Sequence, residues 1–148
     1  MADEIRIAIA VDPDMVKARA EGRALAARLG FSRTDATLVA TAISEIARNM
    51  VVHADGGEIV MTPVYDDTRY GLVVVARDSG PGIRDIPAAM QDGYGSSSGL
   101  GLGLPGARRL MDEFRIESEC GKGTTVTMKK WRVRDELERL REQRSGRG

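Results

Sequence analysis

The chain has a single cysteine, Cys120, in 148 residues, so no disulfide can form within it. A lone thiol fits a reducing compartment. Neither sign of charge is in excess: 22 basic and 22 acidic residues give a formal net charge of +0. A nucleic-acid-binding domain ordinarily carries a strong basic surplus, so that class is set aside. No apolar run approaches the roughly 20 residues that cross a bilayer. The start, MADEIRIAIAV, is acidic and alternating, unlike a signal or transit peptide. The single histidine, His53, follows a helical segment and is read as a helix end with no catalytic role. No internal repeat is visible. These absences predict a soluble cytoplasmic protein with no nucleic-acid or membrane partner. What the chain does have is apolar content: 42% of residues are hydrophobic, enough for the core of one ordinary domain.

Ile5, Ile7, Ile9 and Val11 alternate with polar or small residues, the pattern of a half-buried strand. Asp12-Pro13 reads as an N-cap followed by proline at the first helical position. That helix is expected to reach Leu29, with Gly30 as a left-handed stop. Ser32, with Asp35 three residues on, opens a second helix in a variant of the capping box. Its apolar face is Val39, Ile43, Ile46 and Met50. Residues 58–64 alternate, and 72–76 are continuously apolar, as in a strand covered on both faces or lying at a sheet centre. Asp66-Asp67-Thr68 joins the two as a hairpin loop.

Residues 84–98, rich in serine and glycine, read as a mobile loop with one short helical turn near Ile86 to Met90. A helix over 102–113 is expected to bury Leu104, Ala107, Met111 and the stem of Arg108. Strands over 114–118 and 124–130, joined at Gly121-Lys122-Gly123, complete the order β-α-α-β-β-(loop)-α-β-β. The fold class is α/β: a two-layer sandwich of helices on one face of a mixed, mostly antiparallel sheet. Residues 1–131 make up this domain. Residues 132–148 form a charged extension, with Val133, Leu137 and Leu140 as a narrow stripe and Asp135–Arg139 as a helical ion pair.

Three groups of residues carry chemistry. Glu45 and Asn49 lie one helical turn apart, hence on one face, beside the apolar stripe. A carboxamide there can ligate a magnesium ion that also binds phosphate oxygens. The carboxylate is then free to act as a general base. An ordinary polar helix flank has the same composition. Asp78 ends the apolar strand and starts Asp-Ser-Gly-Pro-Gly. Its carboxylate can accept from the exocyclic amine of adenine, and Gly80 and Gly82 leave room for a flat ring. A plain turn is the alternative. Gly99, Gly101 and Gly103 alternate with leucines ahead of a helix, whose free N–H groups can bind phosphate. No Lys-Ser/Thr follows, so this is not a Walker loop, and a flexible hinge also fits. Gly123-Thr124 suits either a hairpin turn or a nucleotide contact.

Together the pieces resemble the ATP-binding (Bergerat) fold of the gyrase, Hsp90, histidine-kinase and MutL superfamily, known as GHKL. Glu45-x-x-x-Asn49 is similar to its N box, Asp78-x-Gly80-x-Gly82 to its first glycine box, and Gly99-x-Gly101-x-Gly103 and Gly123-Thr124 to the later boxes. SEIARN, RDSGPGIRD and GLGLGLPGARRLMDEF narrow the resemblance to the RsbT-type serine/threonine kinases of the bacterial stressosome, relatives of anti-sigma-factor kinases. It covers about 5–131.

The resemblance implies phosphorylation of STAS-domain scaffold or antagonist proteins. Release from that complex and activation of a downstream phosphatase or other output enzyme would follow. The implied substrate is ATP with Mg²⁺. Glu45 would be the base and Asn49 the metal ligand. Asp78 would meet the adenine amine, with Gly80, Gly82 and Ile83 at the ring and Thr124 supporting the adenine end. Ser98, Gly99, Leu100, Gly101, Leu102 and Gly103 would line the phosphates, and 84–98 would be the ATP lid. Two departures stand out. His53-Ala54 closes the helix without an assigned role, and nothing transfers to the tail beyond Trp131. The rival expectation is an ATP-gated binding module, such as an anti-sigma factor with little kinase activity. Glu45 favours the enzyme, because a pure switch needs no base.

Overall fold

The computed structural model describes residues 4–54, 56–82, 90, 103–133 and 140. In chain order the elements are β1 (Ile5–Ile9), α1 (Asp12–Arg28), α2 (Arg33–His53), β2 (Gly57–Tyr65), β3 (Arg69–Asp78), α3 (Gly103–Leu110), β4 (Glu113–Glu119) and β5 (Gly123–Val133). The sheet order is β1-β2-β3-β5-β4. Every pairing is antiparallel, which corrects the expectation of a mixed sheet. The reason lies in the connections. The α1–α2 hairpin returns the chain to the end of the sheet where β1 stopped, so β2 runs back against β1. The α3 crossover makes β4 run in the direction of β3, but β5 lies between those two and opposes both.

One face of the sheet is covered. Ile59 and Met61 of β2, Leu72, Val74 and Ala76 of β3, and Val126 and Met128 of β5 are buried with Val39, Ile43, Ile46 and Met50 of α2. Each of these side chains larger than alanine contributes about 1.5–3 kcal/mol by leaving water. The alternate residues Val60, Val73 and Val75 are only half-buried on the opposite face. The unbroken apolar run of β3 therefore reflects its central place in the sheet.

Some element ends differ from expectation. The cap of α1 is Val11, in extended conformation, and not Asp12. Asp14 secures the start: its Oδ2 accepts from Ala10 N at 2.8 Å and Val11 N at 3.0 Å. Those N–H groups, Val11 foremost, hold the Asp14 carboxyl below the ordinary carboxylate range. Gly30 follows the helix at φ +87°, and Ser32 Oγ accepts from Asp35 N at 3.0 Å, both as expected.

The third helix stops at Leu110, short of 113, because pairing with β5 takes over. Lys130 Nζ donates to Leu110 O at 3.0 Å and Asp112 N to Lys129 O at 2.9 Å. Arg108 is exposed and not buried by its stem; its guanidinium keeps to water. Leu104, Ala107 and Met111 are buried as expected, and Pro105 and Gly106 join them where α3 packs on α2. β5 runs on to Val133, because Arg69 at the start of β3 pairs with it. Of the helical turn expected near 86–90, only Met90 lies among the described residues, half-buried against the core. No helix among the described residues is long and apolar enough to cross a membrane.

Candidate functional site

Asp78 and Thr124, both singled out from the sequence, meet at one end of the sheet. There β2 begins, β3 ends and β5 begins, with Gly57, Asp78 and Thr124 in register. The C-terminal end of α2 reaches the same place: a Cβ on Gly80 would lie 2.6 Å from Ala54 Cβ. α3 starts against the middle of α2, where Gly103 N donates to Glu45 Oε1 at 2.9 Å. The structure thus groups Asp78, Gly80, Gly82 and Thr124 at the sheet end and Glu45 with Gly103 along α2, with Asn49 on α2 one turn further toward that end. Ile83, Ser98, Gly99, Leu100, Gly101 and Leu102, and the 84–98 segment apart from Met90, lie outside the described residues.

Asp78 is half-buried and divided in its bonding. Its Oδ1 accepts from Gly80 N at 2.9 Å and from Thr124 N at 3.2 Å. Its Oδ2 makes no hydrogen bond among the described residues. The backbone therefore fixes the carboxylate plane and leaves one charged acceptor for a ligand. Thr124 lies directly across the ladder on the same face, 7% exposed, and is the one buried polar residue among those described. Its Oγ1 is 2.9 Å from Ser118 Oγ, which also donates to Gly123 O at 3.0 Å. Ser118 carries no sequence signal; it is one polar position in an alternating strand.

The glycines have packing reasons that the sequence did not reveal. Gly82 has φ +82°, and a Cβ there would strike the Glu119 carbonyl. Pro81 O, beside it, accepts from Gly121 N at 2.8 Å. The Asp78–Gly82 turn is thereby seated on the β4–β5 turn. Gly123 has φ +95°, and a Cβ there would strike the Asp78 carbonyl.

Glu45 and Asn49 are half-buried on α2. The Asn49 carboxamide makes no hydrogen bond among the described residues, so its oxygen is available. No group of three or more His, Cys, Asp or Glu suited to a metal occurs among the described residues. A free amide oxygen suits an ion that takes most of its ligands from phosphate and water, so these residues fit magnesium bound with a nucleotide. A hollow of about 600 Å³ at this sheet end is lined by Asp78, Ser118 and Gly123 together with Arg77, Ser79, Glu117, Glu119, Lys122 and Thr125.

Helices on an antiparallel sheet, with a carboxylate ending the central strand and Glu45 and Asn49 on the covering helix, define a GHKL-type ATP-binding domain. The chain belongs to the histidine kinase-like ATPase domain family, which it matches over residues 9–130. It is 46% identical over 131 residues to the serine/threonine-protein kinase RsbT of Bacillus subtilis, covering 88% of this chain and 98% of that protein. It is 36% identical over 98 residues to an anti-sigma F factor of Clostridium acetobutylicum, covering 62% of this chain and 67% of that one. A crystal structure of the RsbU and RsbW domains of Rv1364c from Mycobacterium tuberculosis superposes with a TM-score of 0.56 at 25% identity. That match covers 88% of this chain and 32% of the longer one.

Proposed function

We propose that the protein is an ATP-dependent serine/threonine kinase that phosphorylates STAS-domain proteins of a stressosome-like complex. Once released, it binds and activates a downstream output partner. The observation that carries this reading is the meeting of Glu45 with the first amide of α3, on the helix whose end reaches the turn where Asp78 presents a free carboxylate oxygen. The likeness to RsbT over nearly the whole chain supports the choice of activity.

In this reading Asp78 Oδ2 accepts from the adenine amine and Thr124 supports the same edge. The triphosphate runs toward the start of α3, where the Gly103 N–H beside Glu45 and the helix dipole favour anions. Asn49 would hold the magnesium ion, which supplies neutralising charge at the phosphates. Glu45 accepts the proton of the incoming serine or threonine hydroxyl. The hydroxyl oxygen bonds to the γ-phosphorus, the bond to the β–γ bridging oxygen breaks, and ADP leaves. Most of the rate comes from positioning and charge stabilisation, with the base adding to it.

The test is direct. Purified protein, labelled ATP and candidate STAS-domain proteins should give a labelled serine or threonine on one of them. Tight ATP binding with no phosphoryl transfer to any of them contradicts the kinase and leaves an ATP-gated binding module.

A further inference from the structure

The hydroxyl hydrogen bonds behind Asp78 have a direction that follows from proton counting. Ser118 has one hydroxyl proton, and the Gly123 carbonyl, 3.0 Å away, can only accept. Ser118 is therefore the donor there. In the 2.9 Å contact between Ser118 Oγ and Thr124 Oγ1, the proton must then come from Thr124. With its proton committed to Ser118, Thr124 has only lone pairs to present elsewhere. Thr124 stands in register with Asp78 on the covered face, and its own N–H holds Asp78 Oδ1.

We infer that Ser118 is a positioning residue for base selection: it locks the Thr124 hydroxyl as an acceptor, so that Asp78 and Thr124 together present only acceptors to the edge of the bound base. This inference rests on the reading of Asp78 and Thr124 as the base-facing wall. An all-acceptor wall matches the exocyclic amine of adenine. It repels the carbonyl that guanine carries at the same position. Discrimination of this kind is strong, because a mismatched polar group in a partly dry site is left unpaired. Without the Ser118 oxygen, the Thr124 proton can turn toward the ligand and donate to a carbonyl. Ser118 need not touch the nucleotide for this effect.

The experiment is calorimetric binding of ADP and GDP, each with Mg²⁺, to the full-length protein and its variants. The wild type should prefer ADP. Ser118→Ala should lower the ADP:GDP affinity ratio about tenfold, the weight of one hydrogen bond, while Ser118→Thr, which keeps the hydroxyl, restores it. Thr124→Val should lower the ratio too, and adding Ser118→Ala to it should change nothing more. If Ser118→Ala does not fold, Ser118→Cys, whose sulfur is a much weaker acceptor at similar size, should also lower the ratio. A general loss of structure would weaken both nucleotides alike and leave the ratio in place. No ADP preference in the wild type, or a preference indifferent to Asp78→Asn, strikes the reading of the wall itself. A wild-type preference that depends on Asp78 but survives in both Ser118→Ala and Ser118→Cys overturns the role of Ser118 alone.

Discussion

Glu45 Oε1 accepts a hydrogen bond from Gly103 N at 2.9 Å, joining the middle of α2 to the first residue of α3 across 58 positions of sequence. The contact puts a carboxylate at the amide where a phosphate-binding helix would begin. It also ties the N-box helix to the last glycine of the glycine repeat. An incoming phosphate would meet the same amide with the proposed base already beside it.

Asp78→Asn tests the adenine contact. The N–H groups of Gly80 and Thr124 both point at Oδ1, so the amide oxygen of Asn would stay on them and its NH₂ would turn to the ligand. An acceptor becomes a donor facing the adenine amine. Nucleotide affinity should fall by roughly ten- to a hundredfold, the cost of leaving such groups unpaired, while thermal stability changes little. Calorimetry that finds ATP affinity within twofold of the wild type rejects this role for Asp78.

Gly123→Ala separates backbone strain from steric overlap. Gly121 and Gly123 both have positive φ, at +80° and +95°, but only Gly123 has the Asp78 carbonyl in the way of a Cβ. Gly121→Ala should cost about 1–3 kcal/mol from backbone strain alone. Gly123→Ala should cost more and should also weaken nucleotide binding by displacing Asp78. Equal denaturant midpoints for the two variants would mean that the overlap is relieved for free.

The hairpin turn should weaken in acid. Asp66 Oδ1 accepts from Thr68 N at 3.0 Å and Arg69 N at 2.8 Å, and Oδ2 from Arg69 Nε at 3.0 Å. The Thr68 N–H leads in holding the carboxyl below its ordinary value of 3.8. A lowered folded value means that the stabilisation is present in full above about 3.8 and is lost as pH falls through the folded value. A carboxyl chemical-shift titration of Asp66 should have its midpoint below 3.8; a midpoint at or above it contradicts the bonding described.

Much of this was legible because local rules and tertiary packing agree. The stripe Val39, Ile43, Ile46 and Met50 is the buried face of α2, and Ser32 caps it. Asp66-Asp67-Thr68 is the hairpin. Where tertiary pairing competes with local signals, the sequence misleads. The helical pattern beyond Leu110 yields to pairing with β5, and Asp12 loses the cap because Asp14 reaches back to two amides. All-antiparallel pairing depends on β5 entering between β3 and β4, which no local pattern records. At the site, motif spacing pointed to Glu45, Asp78 and Thr124. Gly80 N, which holds Asp78, belongs to the local turn the motif spacing showed; Gly103 N and Ser118 Oγ come from chain pairings that spacing does not encode.

The central claim is that Glu45 is the base of a protein kinase, and Glu45→Gln tests it most directly. Glutamine keeps an oxygen to accept from Gly103 N, so the α2–α3 tie and Mg-ATP binding should survive. Its amide cannot take a proton. With ATP saturating and a STAS-domain protein as acceptor, the single-turnover phosphorylation rate should fall by about 10² to 10⁴, the usual weight of a positioned base. Some activity should remain from positioning and charge stabilisation. A variant that binds Mg-ATP normally and phosphorylates the STAS protein at the wild-type rate would contradict the account.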